Sequence, residues 1–167
     1  MIYRVYLGMG SNLGDRLGFL RKAIDLLGKE TRTYSLSSIY ETEPVNIVSA
    51  ELFLNLAIGI ETTMHPSELL PVVKSIEQKL GRTPDTHMKS REIDIDILLY
   101  ENFAFLSESI KVPHAGLAKR RFALTPLDEI ASSVVDPESG YTIRQLLDRC
   151  EDTARVEKSI YTISLSR

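Results

Sequence analysis

Two aspartates stand two residues apart in REIDIDILLY, the stretch from Arg91 to Tyr100. From Ile93 onward this is a strand former's composition, rich in Ile, Leu and Tyr. Side chains alternate faces along a strand, so Asp94 and Asp96 point one way and Ile93, Ile95, Ile97 and Leu99 the other. Two residues rise roughly 6.6 Å along a strand. Same-face carboxylates at that spacing can converge on a hard cation. Magnesium suits them: it takes one or two carboxylates and leaves its other positions to water and substrate phosphates. The bland alternative is that both acids face bulk water on the wet side of an antiparallel sheet.

The surrounding charges favour a phosphate site. Arg82, Lys89 and Arg91 precede the acids, and KVPHAGLAKRRF (111–122) adds Lys111, His114, Lys119, Arg120 and Arg121. Guanidinium and ammonium groups clamp phosphate oxygens. Two cationic loops around an acidic pair are the composition of a phosphoryl-transfer site, where acids hold metal and bases hold phosphate. The same run also fits a solvated surface.

Two further stretches bear on ligands. GMGSNLGD (8–15) spaces its glycines as G-x-G-x-x-x-G. That is neither the dinucleotide fingerprint nor a P-loop, which needs Gly-Lys-Ser/Thr. It reads as a tight strand-to-helix turn or as close backbone approach to a ligand. In FLNLAIG, alternation sets Phe53, Asn55, Ala57 and Gly59 on one face and Leu54, Leu56, Ile58 and Ile60 on the other. The aliphatic set is the core face, so Asn55 and Phe53 point away from it. An amide beside an aromatic ring suits a flat heterocycle with a donor/acceptor edge. It also suits an asparagine satisfied by nearby loop backbone.

The elements that must carry these residues follow from periodicity. YRVYLGMG (3–10) reads as a strand. Leu17, Leu20, Ile24 and Leu27 recur at helical spacing, with Asn12 and Asp15 as a start signal and Gly28 at the end. Strands follow at 31–42 and 52–62. A second helix has Leu69, Val73, Ile76 and Leu80 on one face, Pro66 near its start, Pro71 in its first turns and Gly81 after it. Residues 82–90 form a polar loop without an apolar period, expected to be mobile. After the aspartate strand come short helices near 123–131 and 142–150 and a last strand in the tail. The order β-α-β-β-α-β predicts an α+β ferredoxin-like sandwich: a mainly antiparallel sheet with helices packed on it and extra C-terminal elements. All 167 residues are read as one domain, with 151–167 as a tail that adds an edge strand.

Composition narrows the classes. Apolar content is 43% and charged content 26%, the globular range, and the net charge of −3 argues against broad binding to nucleic acid. Cys150 is the one cysteine, so no internal disulfide forms and a reducing compartment is expected. No signal-peptide pattern and no membrane-length apolar run is present, and His65, His87 and His114 lack a zinc spacing. The expectation is a cytoplasmic monomer that binds neither nucleic acid nor membrane. A single-stranded RNA platform, a metal-dependent nuclease and a non-catalytic small-molecule sensor remain open at this point.

GSNLGDR (10–16), SSIYETEPV (37–45), FLNLAIGIET (53–62), IEQKLGR (76–82), REIDIDILLY (91–100), and VPH with RRFALTPLDEIA (112–131) together resemble the 6-hydroxymethyl-7,8-dihydropterin pyrophosphokinases of folate biosynthesis. The resemblance covers most of the chain to about residue 150. It implies transfer of the diphosphate of ATP to the hydroxymethyl group of 6-hydroxymethyl-7,8-dihydropterin, with AMP released and two Mg²⁺ ions used. It further implies that Asp94 and Asp96 bind the metal and that Arg82 and Arg91 join them in catalysis. Glu77, Arg91, Lys111, His114 and Arg120 would hold ATP, the co-substrate. Thr42, Pro44, Val45, Phe53, Asn55 and Phe122 would hold the pterin. The sequence departs from the family pattern in three places. Met88-Lys89-Ser90-Arg91 stands where the family often has Trp-Gly-Pro-Arg. Ala115 replaces a frequent aromatic. Ser109 replaces an arginine for which Lys111 is the nearest substitute.

Overall fold

The computed structural model describes residues 1–45, 51–84 and 89–165. A sheet is built from β1 (Tyr3–Ser11), β2 (Arg32–Leu36), β3 (Tyr40–Thr42), β4 (Phe53–Thr62), β5 (Asp94–Tyr100) and a late strand Val156–Lys158. Helix α1 (Arg16–Leu27) follows β1 and helix α2 (Pro66–Lys79) follows β4. A two-stranded hairpin, β6 (Phe105–Leu106) with β7 (Lys111–Val112), precedes α3 (Arg121–Ala131) and α4 (Ile143–Asp148). The late strand is then β8. Strand order is β5-β1-β4-β3-β8, with β2 pairing β4 beside β3, and every recorded ladder is antiparallel. This is the split β-α-β arrangement expected from the element order. Among the described residues, no helix is long and apolar enough to cross a membrane.

The sheet is covered on both faces. On one, Leu54, Leu56, Ile58 and Ile60 of β4 pack with Val5, Leu7 and Met9 of β1, against Leu20, Ile24 and Leu27 of α1 and Leu69, Val73 and Ile76 of α2. On the other, Tyr6, Ala57, Leu98 and Leu99 pack under Leu124 and Leu127 of α3 and Ile143 of α4. Alternation along β4 therefore runs as expected. Helices α3 and α4 are the additional elements on the second face. They leave one end of it open.

Three local expectations are corrected. Helix α1 starts one turn later than an Asn12 cap would give: Asp15 is the cap, its Oδ1 accepting the Gly18 N–H at 3.0 Å. The strand expected across 31–42 breaks into β2 and β3. At the break the Ser37 side chain stands in for main chain: the Ala57 N–H donates to Ser37 Oγ at 2.8 Å. The aspartate strand does not alternate to its end. Tyr6 pairs Leu99 while Leu7 pairs Ile97, so Leu98 is an extra residue, a β-bulge. Leu99 consequently joins Tyr6 and α3, not Ile93, Ile95 and Ile97.

Turn chemistry completes the frame. The His65 N–H donates to Glu68 at the start of α2, where Pro66 takes the first helical position. Gly81 ends that helix at φ +101°, a left-handed backbone that side-chain-bearing residues seldom adopt.

Candidate active site

The floor of the open end can be read across three strands. Asp94 of β5 pairs Gly10 of β1, and Gly10 pairs Asn55 of β4; one step along, Asp96 pairs Gly8, which pairs Ala57. Glycine in the middle row leaves space between the acids and the amide. A Cβ at Gly10 would lie 2.3 Å from Asn55 Oδ1, which no real contact allows. The glycines of GMGSNLGD thus clear a floor. Their register opposite Asp94 and Asn55, which the spacing alone could not reveal, is what makes them part of the site.

Above this floor lies a cleft of about 270 Å³. At its acidic end Asp94 and Asp96 share one face, as alternation predicts for this half of the strand. Asp94 Oδ1 meets Arg82 Nη1 in a very short ion pair, and its Oδ2 accepts from Arg91 Nη1 at 3.1 Å. Asp96 faces Arg120 Nη1 at 3.6 Å and His114 Nε2 at 4.0 Å. The two acids differ in consequence. Burial pushes the Asp94 carboxyl up, but the Arg82 and Arg91 guanidiniums outweigh it and hold the group below its ordinary value. Burial and the charge of Asp94 push Asp96 above the ordinary range, against the pull of His114 and Arg120.

His114 and Arg91 are each placed by an identifiable device. The bulge at Leu98 frees a carbonyl from the ladder, and it accepts the His114 N–H at 2.9 Å. His114 Nδ1 accepts from the Gly116 N–H at 3.0 Å, so the neutral ring carries its proton on Nε2, toward Asp96. Burial lowers the His114 pKa, which keeps that neutral form in place. Arg91 is buried; its main-chain N–H donates to Asn12 Oδ1 at 2.8 Å, and its guanidinium lies 5.9 Å from the Phe53 ring centre. Asn12, expected to start a helix, instead grips the backbone that presents Arg91.

At the other end of the cleft the floor is an uncharged polar pair. Asn55 Nδ2 donates to Thr42 Oγ1 at 2.7 Å. Phe53 and Phe122 line the same cleft, with Val45 and Glu43. Pro44 lies between Glu43 and Val45 and is outside the lining.

Three expected ATP contacts, His114, Lys111 and Glu77, also stand outside the lining, as does Arg82; His114 and Arg82 reach it only through Asp96 and Asp94. Lys111 sits on the β6–β7 hairpin with its ammonium 3.0 Å from Glu138, drawn away from the acids. Glu77 is buried beneath them: its Oε1 accepts the Ile95 N–H and an Arg82 N–H, each at 2.7 Å, and its Oε2 lies 3.1 Å from Lys74. It orients Arg82 from behind. The signal was present, because Glu77 falls on the inward stripe of α2, four residues after Val73. Sequence reasoning also missed Lys74 and Glu43, and it singled out Gly8 and Gly10 without their register. Met88, one of the family departures, lies outside the described residues. Lys89 contributes its carbonyl, which accepts from Arg91 Nε at 3.1 Å.

Residues 6–132 match the family model for 7,8-dihydro-6-hydroxymethylpterin-pyrophosphokinase. The 2-amino-4-hydroxy-6-hydroxymethyldihydropteridine pyrophosphokinase of Aquifex aeolicus is 40% identical over 133 residues, spanning 80% of this chain and 83% of that protein. The Bacillus subtilis enzyme of the same name is 41% identical over 131 residues, covering 77% and 78%. Among solved structures, an HPPK-DHPS with substrates superposes with a TM-score of 0.73 at 17% identity, over 87% of this chain and 43% of its own. Plasmodium falciparum HPPK-DHPS with pteroate gives 0.75 at 16%, over 89% and 44%. At those identities the likeness carries the fold, and this chain spans less than half of either solved chain. By the family model and the sequence relatives, the chain belongs to the 7,8-dihydro-6-hydroxymethylpterin-pyrophosphokinase family.

Proposed function

We propose that the cleft between Asp94 and Asn55 is where this chain carries out its family's reaction, transfer of the diphosphate of ATP to the hydroxymethyl group of 6-hydroxymethyl-7,8-dihydropterin. The products are AMP and the pterin diphosphate, a step of folate biosynthesis. One observation carries the assignment to this cleft: the acid pair and the Asn55–Thr42 pair lie on a single floor, separated only by glycine, which sets a phosphate-binding end beside a heterocycle-binding end.

Asn55 and Thr42 read the polar edge of the pterin, and Phe53 and Phe122 hold its faces. An amide fixed by a buried hydroxyl presents a defined edge to the heterocycle, while the rings supply stacking area. Arg82, Arg91 and Arg120 hold ATP phosphate oxygens and the charge that spreads over the transferring group. His114, with Nε2–H directed into the site, donates and does not act as a base. Glu77 acts at one remove, by orienting Arg82.

Asp94 and Asp96 fit a divalent ion by their chemistry. Both are hard oxygen donors, part exposed to the cleft, and Asp96 bears a like-charge penalty that a cation would relieve. Among the described residues no group of three or more His, Cys, Asp or Glu could hold a metal by itself. Two carboxylates therefore suit ions that arrive with nucleotide phosphates, and we assign them two Mg²⁺. When bound, such ions neutralise phosphate charge and make the hydroxymethyl oxygen more acidic. The substrate oxygen bonds to the β-phosphorus as the bond from that phosphorus to the AMP oxygen breaks, and the hydroxyl proton leaves to solvent.

The test is incubation with ATP, Mg²⁺ and 6-hydroxymethyl-7,8-dihydropterin, with AMP and pterin diphosphate followed by chromatography. Equimolar, pterin-dependent formation of both is expected. Inorganic phosphate and ADP as the products, or AMP formation indifferent to pterin, would overturn the reading.

A further inference from the structure

The segment after α4 lies beyond the family match, which ends at residue 132. It is nonetheless tied to both walls of the Asn55 end of the cleft. Asp152 Oδ2 accepts the Arg121 N–H at 3.0 Å, while its Oδ1 accepts the Ala154 N–H at 2.9 Å. Arg121 is the first residue of α3, and its amide is one of the orphan donors every helix start presents. The residue before it, Arg120, offers no side-chain cap, so the tail supplies one. A carboxylate at that position also answers the positive end of the helix dipole. The residues on either side of this bond, Arg120 and Phe122, both line the cleft.

Three residues further on, the tail meets the opposite wall. The Glu43 N–H donates to the Arg155 carbonyl at 3.1 Å, and the Arg155 N–H donates to Glu43 Oε2 at 3.1 Å. Glu43 lines the cleft and follows Thr42, the partner of Asn55. Strand β8 then continues the ladder, pairing Thr42 with Val156 and Tyr40 with Lys158. One short strap, 152–158, is thus bonded to the start of α3 and to the end of β3.

We infer that this strap sets the spacing of the pterin walls, with Asp152 a positioning residue that fixes Arg120 and Phe122 relative to Thr42 and Asn55. The inference rests on the reading of this cleft end as the pterin site. It is tested in the full chain with Asp152→Ala and Asp152→Asn by two readouts. The first is amide hydrogen exchange without substrate: Arg121 exchanges faster in the alanine variant, and the change reaches Glu43. The second is steady-state kinetics: loss of the cap raises the KM for dihydropterin about 5- to 10-fold. The KM for ATP rises less. Asp152→Asn, which keeps one oxygen able to accept the Arg121 N–H, recovers part of both effects. If alanine prevents folding, the asparagine variant decides, with changes of the same sign.

Unchanged exchange at Arg121 would overturn the strap. So would faster exchange with an unmoved pterin KM, which marks a cap that serves the helix alone. A parent chain that makes no AMP would instead overturn the pterin reading, and the exchange measurement would still decide whether Asp152 holds α3.

Discussion

At the β5 end of the cleft two carboxylates face three guanidiniums and an imidazole; at the β4 end, across a glycine, an uncharged amide is held by an uncharged hydroxyl. Exposure differs in the same sense. Asp94 and Asp96 are half-buried, whereas Asn55 is buried. The charged end consists of groups whose partners a phosphate or a cation can replace. The neutral end consists of a polar pair with little freedom to exchange partners. Transferring a highly charged group onto a neutral heterocycle asks for that division. Electrostatic stabilisation acts where charge develops, and discrimination comes from buried hydrogen-bonding groups left unpaired by a wrong ligand.

The sharpest way to break the comparison is at the charged end. On the proposed metal role, Asp96→Ala is expected to lower kcat for pterin-dependent AMP formation by about 10³-fold or more, since such a carboxylate would act chiefly in the transition state. The KM for dihydropterin should barely move. A variant within a few-fold of the parent would remove Asp96 from the metal site. Asn55→Ala should show the complementary pattern, with kcat/KM for dihydropterin down about 10²-fold, mostly in KM, since it leaves a buried Thr42 hydroxyl and the pterin edge without a partner. If kcat for the Asn55 variant falls as far as for Asp96→Ala, the two ends are not separable.

Much of this division was legible in the residues. Alternation in FLNLAIG put Asn55 and Phe53 on the face away from the aliphatic core, and alternation in REIDID put both acids together. Both worked because an aliphatic face leaves one register possible. Alternation failed at Leu98, inside a run of Ile, Leu and Tyr where either face is apolar and a bulge leaves no mark. That bulge also supplies the carbonyl that seats His114, so one unreadable residue hid both the face of Leu99 and the placement of His114. Lys111 shows a related limit of reading charge alone. Its charge suited phosphate, but the hairpin carrying it turns the side chain to Glu138. Gly8 and Gly10 could be recognised as special while their purpose could not, because it depends on which residues the register sets opposite them.

Gly10→Ala sharpens the point at the boundary between the ends. The added methyl meets Asn55 Oδ1 at 2.3 Å on an unmoved backbone, so the amide must turn from its place. Overpacking of this kind typically costs about 1–3 kcal/mol. We expect a rise of about 10-fold in the KM for dihydropterin, smaller than for Asn55→Ala because the amide survives. Normal pterin binding in this variant would show that the glycine is not needed to clear the floor.

The smallest effect separates the two acids themselves, in ligand-free protein with divalent ions chelated. Asp96 has its folded pKa raised above the unfolded value by burial and by Asp94. Its contribution to stability is therefore full below the unfolded pKa and is lost as pH rises through the folded one. At neutral pH the ionised group destabilises the fold, and Asp96→Asn should raise Tm by a few degrees. Asp94 is the reverse: burial pushes its pKa up, but Arg82 and Arg91 bring it below the unfolded value. It contributes stability above the unfolded pKa, lost as pH falls through the folded one, so Asp94→Asn should lower Tm at neutral pH. Melting curves of both variants across the acid range test this, since the gap between Asp96→Asn and the parent should narrow as the pH falls. Magnesium with a non-hydrolysable ATP analogue should reverse the order, because ligand binding stabilises the parent more than a chain lacking one metal-holding carboxylate. Shifts of the same sign for the two variants would mean that the neighbouring arginines do not distinguish Asp94 from Asp96, and that the acids act as one undivided charge.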